Sequence, residues 1–151
     1  MSFFTKNILT KEELTKISET IRLAEQETIG EIRVNIQKRR SFKERNLSLH
    51  DLAVKKFFTL GMDKTKEKTG VLIFLLLSDR KFEIIADEGI NAKVTQEFWN
   101  MLAKKMGEYF NQNKFSDGIC YVINEVGAVL KREFPIKPGD ENELSDDVVI
   151  S

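Results

Sequence analysis

In the stretch "IIADEGIN", residues 84–91, an apolar run ends in two adjacent carboxylates, Asp87 and Glu88, followed by Gly89. Such a pair at a strand end is either a solvated turn or part of an oxygen site. Hard cations such as Ca²⁺ and Mg²⁺ take several carboxylate and carbonyl oxygens converging from loops. Two further acids belong with them if the strands run as their pattern suggests: Glu31, which opens an alternating segment, and Asp63, in a polar connection. Glu31, Asp63, Asp87 and Glu88 would then share one rim, where Gly89 leaves room for another backbone to approach. Charged rims are usual on domains of this kind, so the residues alone leave both readings open.

Other chemistries have less to stand on. No G-x-G-x-x-G or G-x-x-x-x-G-K-[ST] stretch is present, which removes the standard nucleotide cradles. His50, the one histidine, lies near the start of a predicted helix with no G-x-S-x-G elbow to complete a triad, and reads as a surface or cap residue. Cys120 sits beside Ile119 in a predicted helix with no phosphate-binding loop after it, and reads as a small core residue. A second group of charges, Asp79 and Asp117 with the basic loop Lys38, Arg39, Arg40, Lys43 and Arg45, is expected at the opposite rim. The carboxyl ends of parallel strands, where ligands commonly sit, favour that rim.

The elements that must position these groups follow from periodicity. Thr10 and Glu13 form a capping box ahead of Leu14, Ile17, Ile21 and Ala24, a helical stripe that Gly30 is expected to stop. "EIRVNI" (31–36) alternates as a strand with one buried face. Ser48 caps a second helix carrying Leu52, Phe57 and Leu60. "VLIFLLL" (71–77) is continuous apolar strand of the kind buried on both faces, and "KFEIIA" (81–86) should return antiparallel after a tight turn. A third helix is expected over about 91–111, and Ser116 is placed to cap a fourth that Pro135 ends. The order αβαββαα predicts an α/β fold, a three-layer α/β/α sandwich with a small mixed sheet whose first two strands are parallel through a right-handed crossover. Residues 1–135 read as one domain and 136–151 as an acidic, mobile tail.

Composition sets the remaining bounds. With 151 residues, 41% hydrophobic and 32% charged, the chain reads as one soluble globular domain. Twenty-four basic residues balance 24 acidic ones, which argues against nucleic acid as a partner, and no aromatic stacking pattern accompanies the basic loop beyond Phe42. No apolar run is long enough for a signal peptide or a membrane span, so a cytoplasmic monomer is expected.

The segments "ETIGEIRVNI", "GMDKTKEKTGVLIFLLLSDRKFEIIADEGI" and "NKFSDGICYVINEVGAVL" resemble, in order and spacing, a TPM domain over residues 8–134. That family includes the thylakoid-lumen photosystem II repair phosphatase, and this chain is similar to its short stand-alone bacterial form. The resemblance implies an α/β/α sandwich that binds divalent cations, typically Ca²⁺, with phosphoric-monoester hydrolase activity in some members. The family's turn after the third strand reads about E-x-G-x-G-L, with an Asp near the helix start. Here those places hold Ile85, Asp87, Gly89, Ile90 and Gln96. The glycine at 89 is kept, and the charges lost at 85 and 96 stand beside the new pair Asp87 and Glu88.

With that resemblance, Glu31, Asp63, Asp87 and Glu88 are expected to ligate Ca²⁺ or Mg²⁺, and Asp87 and Glu88 to take part in catalysis. Thr65 and Thr69 would orient a phosphomonoester or other small anionic substrate. The rival expectation is a Ca²⁺-responsive module that binds a protein partner without turnover.

Overall fold

The computed structural model describes residues 9–136 and 148–151. Helix α1 (Lys11–Glu25) leads into strand β1 (Glu31–Gln37), α2 (Leu49–Thr59), β2 (Gly70–Leu76) and β3 (Lys81–Ala86). A short helix α3 (Glu88–Asn91), then α4 (Gln96–Asn111), α5 (Phe115–Glu133) and a two-residue strand β4 (Val149–Ile150) complete the order. The sheet runs β3-β2-β1-β4, with β1 parallel to β2 and β4, and β3 antiparallel to β2. The expected mixed sheet and α/β/α sandwich are therefore present.

β2 is the centre of the sheet, and all seven of its residues are buried. Alternation splits its side chains between two cores. Val71, Ile73 and Leu75 join Ile32, Val34 and Ile36 under α1, α4 and α5, against Ile17, Ile21, Leu102, Met106, Ile123 and Leu130. Leu72, Phe74 and Leu76 face the other way, onto Leu52, Ala53 and Phe57 of α2 and onto Met62.

The capping box forms as written in the sequence. Thr10 Oγ1 accepts from the Glu13 amide at 3.1 Å, and the Glu13 carboxylate accepts from the Thr10 amide at 3.0 Å. Glu13 also accepts from the Ser116 hydroxyl at 2.9 Å, so the box ties α1 to α5. Thr10→Ala should cost about 1 kcal/mol in urea denaturation, the usual cost of an N-cap. Ser48 caps α2 as expected, its hydroxyl accepting from the Asp51 amide at 3.0 Å.

Four boundaries differ from the sequence reading. α1 ends at Glu25, before Gly30. The third predicted helix is broken: Thr95 restarts it by accepting from the Phe98 amide at 3.3 Å, so α3 and α4 are separate. α5 begins at Phe115, and Ser116 spends its hydroxyl on Glu13 instead of capping. At the C-terminus, Val149 and Ile150 pair with Asn35 and Ile36 of β1, where a mobile tail is expected from composition. Residues 137–147 of that predicted tail lie outside the described residues. Among the described residues no helix is long and apolar enough to cross a membrane.

Candidate functional site

β1, β2 and β3 meet the 61–69 connection at one end of the sheet. Glu31 lies opposite Gly70 in the parallel register, and the Asp87 amide donates to the Gly70 carbonyl at 2.9 Å. Glu31 and Asp87 therefore flank Gly70, about 10 Å apart as two strand spacings require. The Glu31 amide in turn donates to the Thr69 carbonyl at 3.3 Å. Ile32 and Ala86 face the helical layer of α1, α4 and α5, so alternation puts Glu31 and Asp87 on the other face, towards α2 and the 61–69 loop.

The loop is held in a fixed shape. Gly61 takes a left-handed conformation (φ 73°), Lys68 does the same (φ 57°), and the Thr65 hydroxyl accepts from the Thr69 amide at 3.0 Å. The Lys68 ammonium donates to the Asp63 carbonyl at 3.0 Å. Two glycines let this backbone press into the rim. A Cβ on Gly70 would lie 2.5 Å from the Met62 carbonyl oxygen, and one on Gly89 would lie 2.1 Å from that of Glu67 and 2.5 Å from that of Lys68. The rim is thus lined with backbone oxygens as well as side-chain ones.

The four expected carboxylates fare differently there. Asp87 is the N-cap of α3; its Oδ1 accepts from the Glu88 amide at 2.8 Å, while its Oδ2 is buried without a hydrogen-bond partner among the described residues. Asp63 Oδ1 and Thr69 Oγ1 are buried without partners in the same way. Glu31 is fully enclosed, with 1% exposure. Glu88 is exposed. Among the described residues, no three His, Cys, Asp or Glu side chains are grouped so as to hold a metal ion. The expected four-carboxylate cluster is therefore not assembled; one rim carries the acids, but not as one constellation. Thr65, expected at a phosphate, uses its hydroxyl to build the loop.

Both acids of the opposite rim are paired. Asp79 takes a hydrogen bond from Arg40, which with the Ser78 hydroxyl outweighs burial and holds its carboxyl below the usual aspartate range. Asp117 accepts from Lys16 at 3.0 Å. His50 is a surface residue whose Nδ1 lies 2.6 Å from a Glu83 carboxylate oxygen, and Cys120 is buried against the Thr20 hydroxyl at 3.4 Å. Both bland readings of those residues hold.

Residues 3–129 match the family model of the TPM domain, which carries the designation TPM phosphatase. The chain belongs to the TPM domain family. Among solved structures, this TPM domain is similar to the BA42 protein from the psychrophilic bacterium Bizionia argentinensis, at 36% identity over 95% of each chain, with a TM-score of 0.84. An N-terminal domain of a P. gingivalis protein shares the fold at 16% identity, covering 84% of this chain and 79% of that one, with a TM-score of 0.66. The N-terminal domain of the cg2496 protein from Corynebacterium glutamicum does so at 13% identity, covering 81% and 74%, with a TM-score of 0.56. No curated protein matches.

The oxygens that sequence reasoning missed are the carbonyls of Met62, Glu67 and Lys68. Their signal is in the glycines: Gly70, the first residue of β2, and Gly89, in the first turn of α3, mark two places where a backbone passes close by.

Proposed function

We propose that the TPM domain binds a divalent hard cation, Ca²⁺ or Mg²⁺, at the rim formed by the 61–69 loop and Asp87, and hydrolyses phosphomonoesters there. The observation that carries this reading is three buried side-chain oxygens on that rim, Asp63 Oδ1, Thr69 Oγ1 and Asp87 Oδ2, with no partner among the described residues. Buried polar atoms left unpaired are costly and call for an explanation such as an ion or water. The donor set fits a hard cation: carboxylate, hydroxyl and carbonyl oxygens, with no sulfur or imidazole. It is poorer in carboxylates than expected, which favours a weak, open site completed by water.

A bound ion of this kind polarises phosphoryl oxygens and acidifies a water molecule. The chain's own residues do the rest. The Glu88 amide holds one Asp87 oxygen, and the other is buried without a partner among the described residues. Lys64, Lys66 and Lys68, all exposed on the same loop, attract the phosphate dianion. Glu88, exposed in the first turn of α3, stands in solvent where it can take up a proton. Glu31, buried opposite Gly70, completes the acids at this end of the sheet.

The test is a pair of ¹⁵N-HSQC titrations with Ca²⁺ and Mg²⁺, followed by p-nitrophenyl phosphate turnover. Amides at 31, 61–69 and 86–91 should shift, and Asp87→Ala should weaken cation affinity and turnover by about 10–100-fold while the fold persists. Shifts confined to 38–50, 79 and 117, or full metal-dependent turnover in Asp87→Ala, would sink the assignment. Shifts at the expected rim without turnover would favour the second reading, a cation-responsive interaction module, which the open edge of the sheet also supports.

A further inference from the structure

β4 covers the β1 edge of the sheet, but β3 forms the other edge with no strand beside it among the described residues. The Asp87 amide bonds to Gly70, so residues 83, 85 and 87 turn their backbone groups towards β2. Phe82, Ile84 and Ala86 then present their N–H and C=O groups outwards. This edge is the floor of a groove of about 720 Å³, walled by His50 and Val54 of α2 and by Trp99, Asn100 and Ala103 of α4. That volume lies within the range of ligand-binding clefts.

The chain already treats this edge as a place for an amide. The Asn91 side-chain amide donates to the Ala86 carbonyl at 2.8 Å, as the N–H of a neighbouring strand would. The Trp99 indole N–H donates to the Asn91 side-chain oxygen at 2.8 Å and so fixes that amide. The two positions beyond it, Ile84 and Phe82, keep the same outward pattern, and no group among the described residues is supplied to meet it. The edge has no proline and no bulge, since Lys81–Ala86 pairs with Val71–Leu76 without interruption. Its charge is closed off as well: His50 and Glu83 are the ionisable side chains on the lining, and they bond to each other.

We propose that this groove takes an extended, uncharged peptide segment of another protein, which adds to the sheet as a strand beside β3. Backbone bonds to Phe82 and Ile84 supply the register, and the apolar and amide side chains of the walls receive alternate side chains of the peptide. A charged segment would have to bury its charge without a partner on the lining. A second copy of this chain is a poorer occupant, because its own β3 edge lies recessed between its own two helices and cannot reach this one.

The experiment uses the full chain, ¹⁵N-labelled, with a blocked hexapeptide of alternating valine and threonine at millimolar concentration. The amides of Phe82, Ile84 and Ala86 and the Trp99 indole should shift, and exchange of the Phe82 and Ile84 amides with solvent should slow several-fold. A peptide of the same sequence N-methylated at alternate residues should do neither, and Asn100→Trp, which fills the groove from its exposed wall, should abolish both effects. Equal binding by the N-methylated peptide, shifts located elsewhere, or no shifts at all would overturn the proposal. So would concentration-dependent shifts of the same amides without peptide, which would assign the edge to self-association.

Discussion

Gly89→Ala is expected to destabilise the protein by about 3 kcal/mol, at the upper end of the range for overpacking. The expectation runs against the ordinary effect of the substitution. Gly89 lies within helix α3, and in a helix alanine normally gains up to about 1 kcal/mol over glycine. Here the added methyl group meets backbone: the Glu67 oxygen at 2.1 Å, the Lys68 oxygen at 2.5 Å and the Lys68 carbonyl carbon at 2.9 Å. None of these is the flexible end of a side chain, so the 61–69 loop must move as a unit or α3 must tilt away from it. Gly107→Ala is the control. Gly107 lies in α4 with no atom of the described residues within 4 Å of its missing Cβ, so the same change should be neutral or stabilising there. Urea denaturation of both variants measures the contrast, and equal effects would show that Gly89 is not pressed against the loop. HSQC spectra of Gly89→Ala should show its largest shifts at residues 63–69. On the cation reading, its Ca²⁺ affinity should fall as well, because the oxygens displaced are those of the rim.

Much of this arrangement was legible because it rests on local or periodic signals. The run VLIFLLL can only be a strand buried on both faces, and its direction relative to β1 and β3 follows from the lengths of the two connections. Once strand directions are set, the rims sort themselves, and Glu31, Asp63, Asp87 and Glu88 fall at one end. What the sequence does not carry is which oxygens are already engaged. Asp79 and Asp117 look as available as Asp63 and Asp87 until Arg40 and Lys16, 39 and 101 positions away, are seen to bond to them. Backbone carbonyls are likewise invisible to a search for carboxylates.

The polar face of β1 was the larger surprise. Alternation of EIRVNIQ suggests one buried and one solvated face, yet Glu31, Arg33, Asn35 and Gln37 are all 9% exposed or less. For Arg33 and Asn35 the partners lie far along the chain. Arg33 reaches the Leu60 carbonyl at 3.5 Å, and the Asn35 amide donates to the Val149 carbonyl at 3.0 Å and the Ser151 hydroxyl at 2.7 Å. That last pair also explains β4. Two residues are too few for a sequence signal, and a buried asparagine in β1 supplies side-chain bonds to the segment beside it.

Gln37 leads to the second large expected effect, a stability loss of about 3 kcal/mol between pH 4.5 and 2 that Glu44→Gln removes. Glu44 is the one acid in the basic loop 37–46, and it is its anchor. Its carboxylate is 4% exposed and accepts from the Ser41 amide at 2.9 Å, the Gln37 side-chain amide at 2.8 Å and the Lys55 ammonium at 3.1 Å. Burial alone would raise its pKa, but those three donors and the charge of Lys55 outweigh it and hold the group down to about 2, from 4.5. A carboxyl whose pKa is lower in the folded state stabilises that state above the unfolded pKa, because the unfolded chain then binds the proton more readily. The contribution is therefore complete above pH 4.5 and is lost as the pH falls towards 2. At 1.36 kcal/mol per pH unit that interval corresponds to about 3 kcal/mol. Other depressed carboxyls, Glu13 held by the Thr10 amide and Asp79 by Arg40, also weaken the fold in acid, so the wild-type curve alone does not isolate Glu44. The difference between wild type and Glu44→Gln does. It should be largest near neutrality, where the variant has lost the charged acceptor, and should shrink steadily below pH 4.5 as the wild type takes up its proton. Unfolding free energies from urea titrations at pH 7, 4 and 2.5 measure it. Parallel curves for the two proteins would mean that the loop is held by something other than this carboxylate.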